Sequence, residues 1–298
     1  MKLFIRSISG ILLRLSLAVA LAAAWGVNAV AQTTRAKAAP PPSRILLAIN
    51  EGGAANADAS ETLFKYQEFA ERVEKALHSQ VITVAVRDPE KLRKALKKHE
   101  YGLLLSRPTD TPAEAIRDSG YQAIAMAKES SSAMFIVPKD SPLKTIADVR
   151  GRTIVTPDAY THMWRVANAM LRDANIVMAA EKVKAMRDQA AIGWSMENKF
   201  FDVGVVNSIS GIGRTWEKSG GRVIARSREM PNMPFIAAPE ITEDQVQRIR
   251  AAVVALDDAG ILKKMAVPSG FQPATREPFL SYLAWVGDLQ AAQNAAQQ

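Results

Sequence analysis

Four apolar runs in the chain end abruptly in polar residues: Asn50-Glu51, Ser106-Arg107, Thr156-Pro157-Asp158 and Asn207-Ser208. Amides, hydroxyls, a guanidinium and two carboxylates suit hydrogen bonding to a polar ligand more than bond cleavage. Arg107 is the most informative. It directly follows the apolar run YGLLLS and precedes a proline, a poor place for a solvated face, and it is expected to look into a cleft. The stretch IVTPDAYTHMWR, residues 154 to 165, passes from apolar residues through a turn into a helical pattern. The first turn of a helix leaves backbone N–H groups unpaired. Thr156, Tyr160 and Thr161 with those groups can therefore hold an oxyanion. Alternatively, Asp158 or Thr161 simply caps the helix. Arg187-Asp188-Gln189 opens a second helix with the same two readings. Arg187 can grip a carboxylate or phosphoryl oxygen with two hydrogen bonds, or pair with Asp188 or another acid.

Other chemistry is excluded by what the chain lacks. It has no cysteine, hence no disulfide, thiolate metal site or cysteine nucleophile. Its three histidines, His78, His99 and His162, are not spaced as a metal-binding pair. His78 and His99 read as solvated helix ends. His162, on the first turn of its helix, can donate to an anion or lie on the surface. No G-x-S-x-G or phosphate-loop motif occurs, and SISGIGRT lacks the third glycine of a dinucleotide site. Neither metal nor cofactor is expected, and the chain is not expected to be an enzyme. Tyr66 and Tyr101 read as core edges.

The elements that position these residues alternate. Apolar strands at 43–50, 79–86, 101–106, 121–127, 132–138, 152–157, 200–208, 220–227 and 234–240 are separated by helical patterns. In the first helix the apolar residues Leu63, Phe64, Phe69, Val73 and Leu77 recur at helical spacing. Alternation of this kind predicts an α/β fold built from parallel βαβ units. Ligands bind such sheets beyond the carboxyl ends of the strands, which is where the polar residues fall.

The first 31 residues carry Lys2, Arg6 and Arg14, an apolar run from Leu15 to Trp25 and the small-x-small signal Ala29-Val30-Ala31. They read as a cleaved secretory signal, followed by a disordered tether, QTTRAKAAPPPS. Of the formal charge of +8, three units belong to the signal, leaving 35 basic against 30 acidic residues. Mild basicity favours anionic ligands. Mixed charge on an exported chain argues against nucleic acid as a partner.

The ordered set of segments resembles the phosphate, phosphite and phosphonate substrate-binding proteins of ABC transporters. VPKDSPLKTIADVRGRTIV resembles that family's entry into its second lobe, with Asp140, Ser141, Leu143, Ile146, Asp148, Val149 and Gly151 in register. MRDQAAIGWSMENKFFDVGVVNS resembles a later segment through Asp188, Ala190, Ala191, Asn198, Lys199, Asp202 and Gly204. The likeness runs from about Arg44 to Val286. It implies an α/β, two-lobed type II periplasmic-binding-protein fold with two hinge crossovers, near Val137-Pro138 and Arg228–Pro234. Residues 44–137 and 234–298 would form a discontinuous first lobe and residues 138–233 the second. It further implies a monomer in the periplasm that captures a small oxyanion (phosphonate, phosphite or phosphate) and serves an inner-membrane ABC permease. Asn50, Glu51, Ser106, Arg107, Thr156, Tyr160, Thr161, Arg187, Asp188 and Asn207 would bind the ligand. The chain departs from the family in two places. The Ser/Thr-rich turn is Pro157-Asp158-Ala159-Tyr160-Thr161, and the usual histidine is Arg187. Asp158 repels an oxyanion unless the ligand also carries a cation, so sulfonates, carboxylates and amino-phosphonates stay open. A sensor-input protein of the same fold is the other role.

Overall fold

The computed structural model describes residues 44–287, apart from 53–57, 160 and 179–180. The expected signal, the tether and Tyr160 lie outside the described residues.

The first sheet has the order β11-β4-β10-β3-β1-β2. These strands are β1 (Ile45–Asn50), β2 (Val81–Ala85), β3 (Leu103–Ser106), β4 (Gln122–Ala127), β10 (Phe235–Ala237) and β11 (Phe271–Pro273). β1 runs parallel to β2 and β3, whereas β10 is antiparallel to both β3 and β4. The sheet is therefore mixed rather than wholly parallel, because the chain returns to it from the far side. Helices α1 (Ala59–Leu77), α2 (Pro89–Lys97) and α3 (Asp110–Asp118) link its first strands. α1 buries Tyr66, Phe69, Ala70, Val73 and Leu77, a 3.6-residue stripe, against the sheet. Phe64, expected on that stripe, is instead 72% exposed.

The second sheet has the order β7-β6-β8-β5-β9. Its strands are β5 (Ala133–Val137), β6 (Thr153–Pro157), β7 (Lys182–Met186), β8 (Val203–Asn207) and β9 (Arg222–Arg226). Helices α4 (His162–Asp173), α5 (Gln189–Glu197) and α6 (Gly211–Thr215) connect them. β7 escaped the sequence because it is an edge strand whose Lys182 and Lys184 leave no apolar alternation. β11 escaped because it is three residues long.

The first crossover is misplaced by the sequence reading. β5 pairs antiparallel with β8 and β9, so it belongs to the second sheet. The chain passes between the sheets at residues 128–132, before Ala133, not at Val137-Pro138. It returns through residues 227–234. The two passages run side by side, held by Ser131 N–H to the Met230 carbonyl at 3.1 Å and Met230 N–H to the Ser131 carbonyl at 2.8 Å. Beyond the second passage lie α7 (Glu243–Val254), α8 (Ala259–Lys264) and α9 (Glu277–Val286). α9 packs against both α3 and α4, one helix from each sheet.

Candidate functional site

The carboxyl ends of β1 and β3 are neighbours, with Asn50 opposite Ser106 in the parallel register. Side chains alternate along a strand, so these two residues and the ones after them point in opposite senses. Asn50 and Ser106 turn inward and are buried. Asn50 Oδ1 accepts from Gly52 N–H at 2.7 Å, and Ser106 Oγ donates to the Pro108 carbonyl at 2.8 Å. They shape the turns and do not line the cleft. Gly52 (φ +76°) is required here, since a Cβ on it would come within 2.9 Å of the Pro108 ring.

Glu51 and Arg107, the next residues, line the cleft. The Glu51 carboxylate accepts from Lys65 Nζ at 3.0 Å and from the Tyr66 hydroxyl, with Arg107 Nη2 at 3.5 Å. Arg107 Nη2 also donates to the Met265 carbonyl at 2.9 Å. Two cations thus surround one carboxylate, which leaves this corner with a net positive charge. Tyr66 is wholly buried, a core residue whose hydroxyl serves this cluster.

The facing wall comes from the second sheet. Thr156 is buried and donates to the Pro157 carbonyl at 3.0 Å, so it does not reach the cleft. Thr161 caps α4: its Oγ1 accepts from Trp164 N–H at 3.3 Å and donates to the Asp158 carbonyl at 2.7 Å. It also lines the cleft, so capping and ligand-facing positions coincide. His162 and Met163, at the first helical positions, line it too. Asp188 is a cap alone, accepting from Ala190 N–H at 2.8 Å at the start of α5. Arg187 pairs with Asp158 at 3.9 Å rather than with Asp188, and both line the cleft. Gln189 Oε1 accepts from Asn207 N–H at 2.7 Å, joining α5 to the end of β8.

Together these walls enclose a cleft of about 220 Å³. Of the predicted residues, Glu51, Arg107, Thr161, Arg187 and Asn207 are brought together there; Asn50, Ser106, Thr156 and Asp188 are not. Sequence reasoning left out Gln189, although its place directly after a capping aspartate marked it. His162 also belongs to the wall. Its Nδ1 lies 2.8 Å from the Tyr282 hydroxyl of α9, and burial lowers its pKa to about 4 against the opposing charge of Asp110, so it is neutral at physiological pH. His99 is not a free helix end: its ring nitrogens reach Glu240 at 2.6 Å and the Ser119 carbonyl at 2.9 Å. Among the described residues no histidine, aspartate or glutamate cluster could hold a metal ion. The cleft lining holds two guanidiniums, two carboxylates, a helix start and neutral donors, groups whose chemistry suits hydrogen bonding to a small polar solute.

No curated protein sequence matches the chain. Its fold is similar to that of a Xanthomonas citri protein solved bound to ATP, at TM-score 0.67 and 14% identity over 85% of this chain and 99% of that one. It is similar to PhnD1 from Prochlorococcus marinus in complex with methylphosphonate, at TM-score 0.63 and 12% identity over 85% and 99%. It is also similar to the periplasmic aliphatic sulphonate binding protein SsuA from Escherichia coli, at TM-score 0.56 and 13% identity over 86% and 94%. At these identities the likeness is one of fold, the two-lobed type II arrangement seen in the two sheets. The family described as ABC transporter, phosphonate, periplasmic substrate-binding protein matches residues 52–279, most of the sequence, and the chain belongs to that family.

Proposed function

We propose that the protein captures a small oxyanion-bearing solute, of the phosphonate class, between its two sheets and delivers it to an inner-membrane ABC permease. The observation that carries this reading is the convergence of Arg107, Arg187 and the capped start of α4 on one small cleft. Guanidiniums bind oxyanions with directed, charge-assisted hydrogen bonds, and a helix start adds free N–H groups and a positive dipole end. A single phosphonate head group is small enough to need no glycine-rich loop.

Glu51 and Asp158 line the same cleft and favour a ligand that carries an ammonium beside its anion. An amino-phosphonate satisfies both signs of charge at once. A sulfonate or carboxylate offers the anion without the second ionisation.

The test is a thermal-shift and calorimetric screen of residues 32–298 against phosphate, phosphite, alkyl- and amino-phosphonates, sulfonates, carboxylates and amino acids. A ligand that binds only the folded state raises the melting temperature with the logarithm of its concentration. Shifts with phosphonates, larger for amino-phosphonates, are expected. A response confined to solutes without an oxyanion would overturn the reading.

A further inference from the structure

His162 occupies the first helical position of α4 and lines the cleft. Its ring stands 5.3 Å from that of Tyr282, tilted by 38°, with Nδ1 2.8 Å from the hydroxyl. Tyr282 is buried on α9, and among the described residues its hydroxyl has no other hydrogen-bond partner. Burial first, and then the charge of Asp110, raise the phenol's pKa well above its ordinary value, so the hydroxyl keeps its proton. A buried O–H with a single partner donates to it. Nδ1 must then be an acceptor, and a neutral ring that accepts at Nδ1 carries its own proton on Nε2.

We infer that His162 is a ligand-binding residue, fixed by Tyr282 as the Nε2-protonated tautomer and donating an uncharged hydrogen bond to an oxygen of the bound oxyanion. The inference rests on the anion-binding reading above. Tyr282 is a positioning residue: it touches no ligand but decides which nitrogen bears the proton. Behind the pair, Asp110 and Glu114 of α3, Arg93 of α2 and Arg165 of α4 form a closed ion-pair cluster. On the cleft side stand Glu51, Arg107, Asp158 and Arg187. The acids of both groups are paired with cations, and burial outweighs the attraction of Asp110 for a proton on the ring. The donor is therefore constant across neutral pH, which a free surface histidine would not be.

Nitrogen-15 NMR of the imidazoles tests this directly, since the chain has three histidines. His162 should show the Nε2-protonated pattern without titrating between about pH 5.5 and 8.5. An Nδ1-protonated pattern, or titration near the ordinary histidine value, overturns the inference whatever the ligand. Calorimetry with methylphosphonate and methanesulfonate gives the second arm. His162→Phe should weaken both by about tenfold, the loss of one hydrogen bond to a charged group. His162→Gln, whose amide nitrogen falls near the place of Nε2, should stay within about threefold of wild type, and His162→Asn, which is too short, should not. Tyr282→Phe should mix the two tautomers and weaken binding by about threefold. Unchanged affinity in His162→Phe sinks the inference alone. If another oxyanion of the screen binds in place of these probes, the variants are read with that one; failure of the wild-type protein to bind any oxyanion sinks the anion reading and the inference with it.

Discussion

Arg165 Nη1 lies 2.9 Å from Glu114 Oε1, and the bond joins a helix of the second sheet to a helix of the first. The Arg165 side chain is wholly buried. It also reaches Asp110 at 3.5 Å and the Gly287 carbonyl at 2.6 Å, while Arg93 shares both acids from the other side. The second of these helices begins at the cleft, so this cluster ties the two sheets together behind it.

Removing one partner of a buried pair leaves the other charged and unpaired, which costs about 3–5 kcal/mol. Arg165→Ala should lower unfolding free energy by about 3 kcal/mol, read from the urea midpoint at unchanged slope. Glu114→Gln should cost less, because Asp110 remains, and the double variant should cost less than the sum. A loss below about 1 kcal/mol in Arg165→Ala would show that the cluster is solvated in solution.

Arg107 lines the cleft and also donates to the Met265 carbonyl. Arg107→Ala should weaken methylphosphonate binding by at least about tenfold, one charge-assisted hydrogen bond. It should also lower apo stability by about 1–2 kcal/mol, because the Met265 carbonyl and Glu51 lose a donor. Lys65 and Tyr66 still hold Glu51, which limits the loss. An unchanged apo melting temperature would mean that the arginine is free when the cleft is empty.

Thr161 both caps α4 and lines the cleft. Thr161→Ala should cost about 1 kcal/mol through loss of the cap. Thr161→Ser should keep the cap and the affinity. If Thr161→Ala destabilises the protein but binds methylphosphonate as wild type does, the residue is a cap alone.

Stability should also depend on pH through His162. Its folded pKa is about 4 and its ordinary value 6.5. Between those values the unfolded chain takes up a proton that the folded protein refuses. The stabilisation is complete above the ordinary value and is lost as pH falls toward the folded one, by up to roughly 3 kcal/mol. His162→Gln removes this titration. The gap in melting temperature between variant and wild type should move in the variant's favour as pH is lowered through the window. A gap constant with pH would place His162 in water.

Local patterns in the sequence were enough for the alternation of strands and helices, the polar strand ends, and the helix starts near Thr161 and Asp188, because each depends on residues within a few positions of one another; the choice of Thr161 over Asp158 as the cap came from the structure. They also brought Glu51, Arg107 and Arg187 into consideration. Which of two adjacent residues faces the cleft was not legible. Asn50 and Glu51 differ only in sense, and the sense depends on how β1 sits against β3 and the loops beyond. The sheet that takes β5 was equally hidden, since an apolar run can pair in either direction. Arg165 read as an ordinary position on an amphipathic helix, and His162 as either an anion donor or a surface residue. Their partners Glu114 and Tyr282 lie 51 and 120 residues away, and only the packing of α4 against α3 and α9 brings them together. Short-range periodicity specifies the face that an element presents; the identity of the opposing face comes from the closure of long loops, and in this protein that closure sets the charges of the cleft.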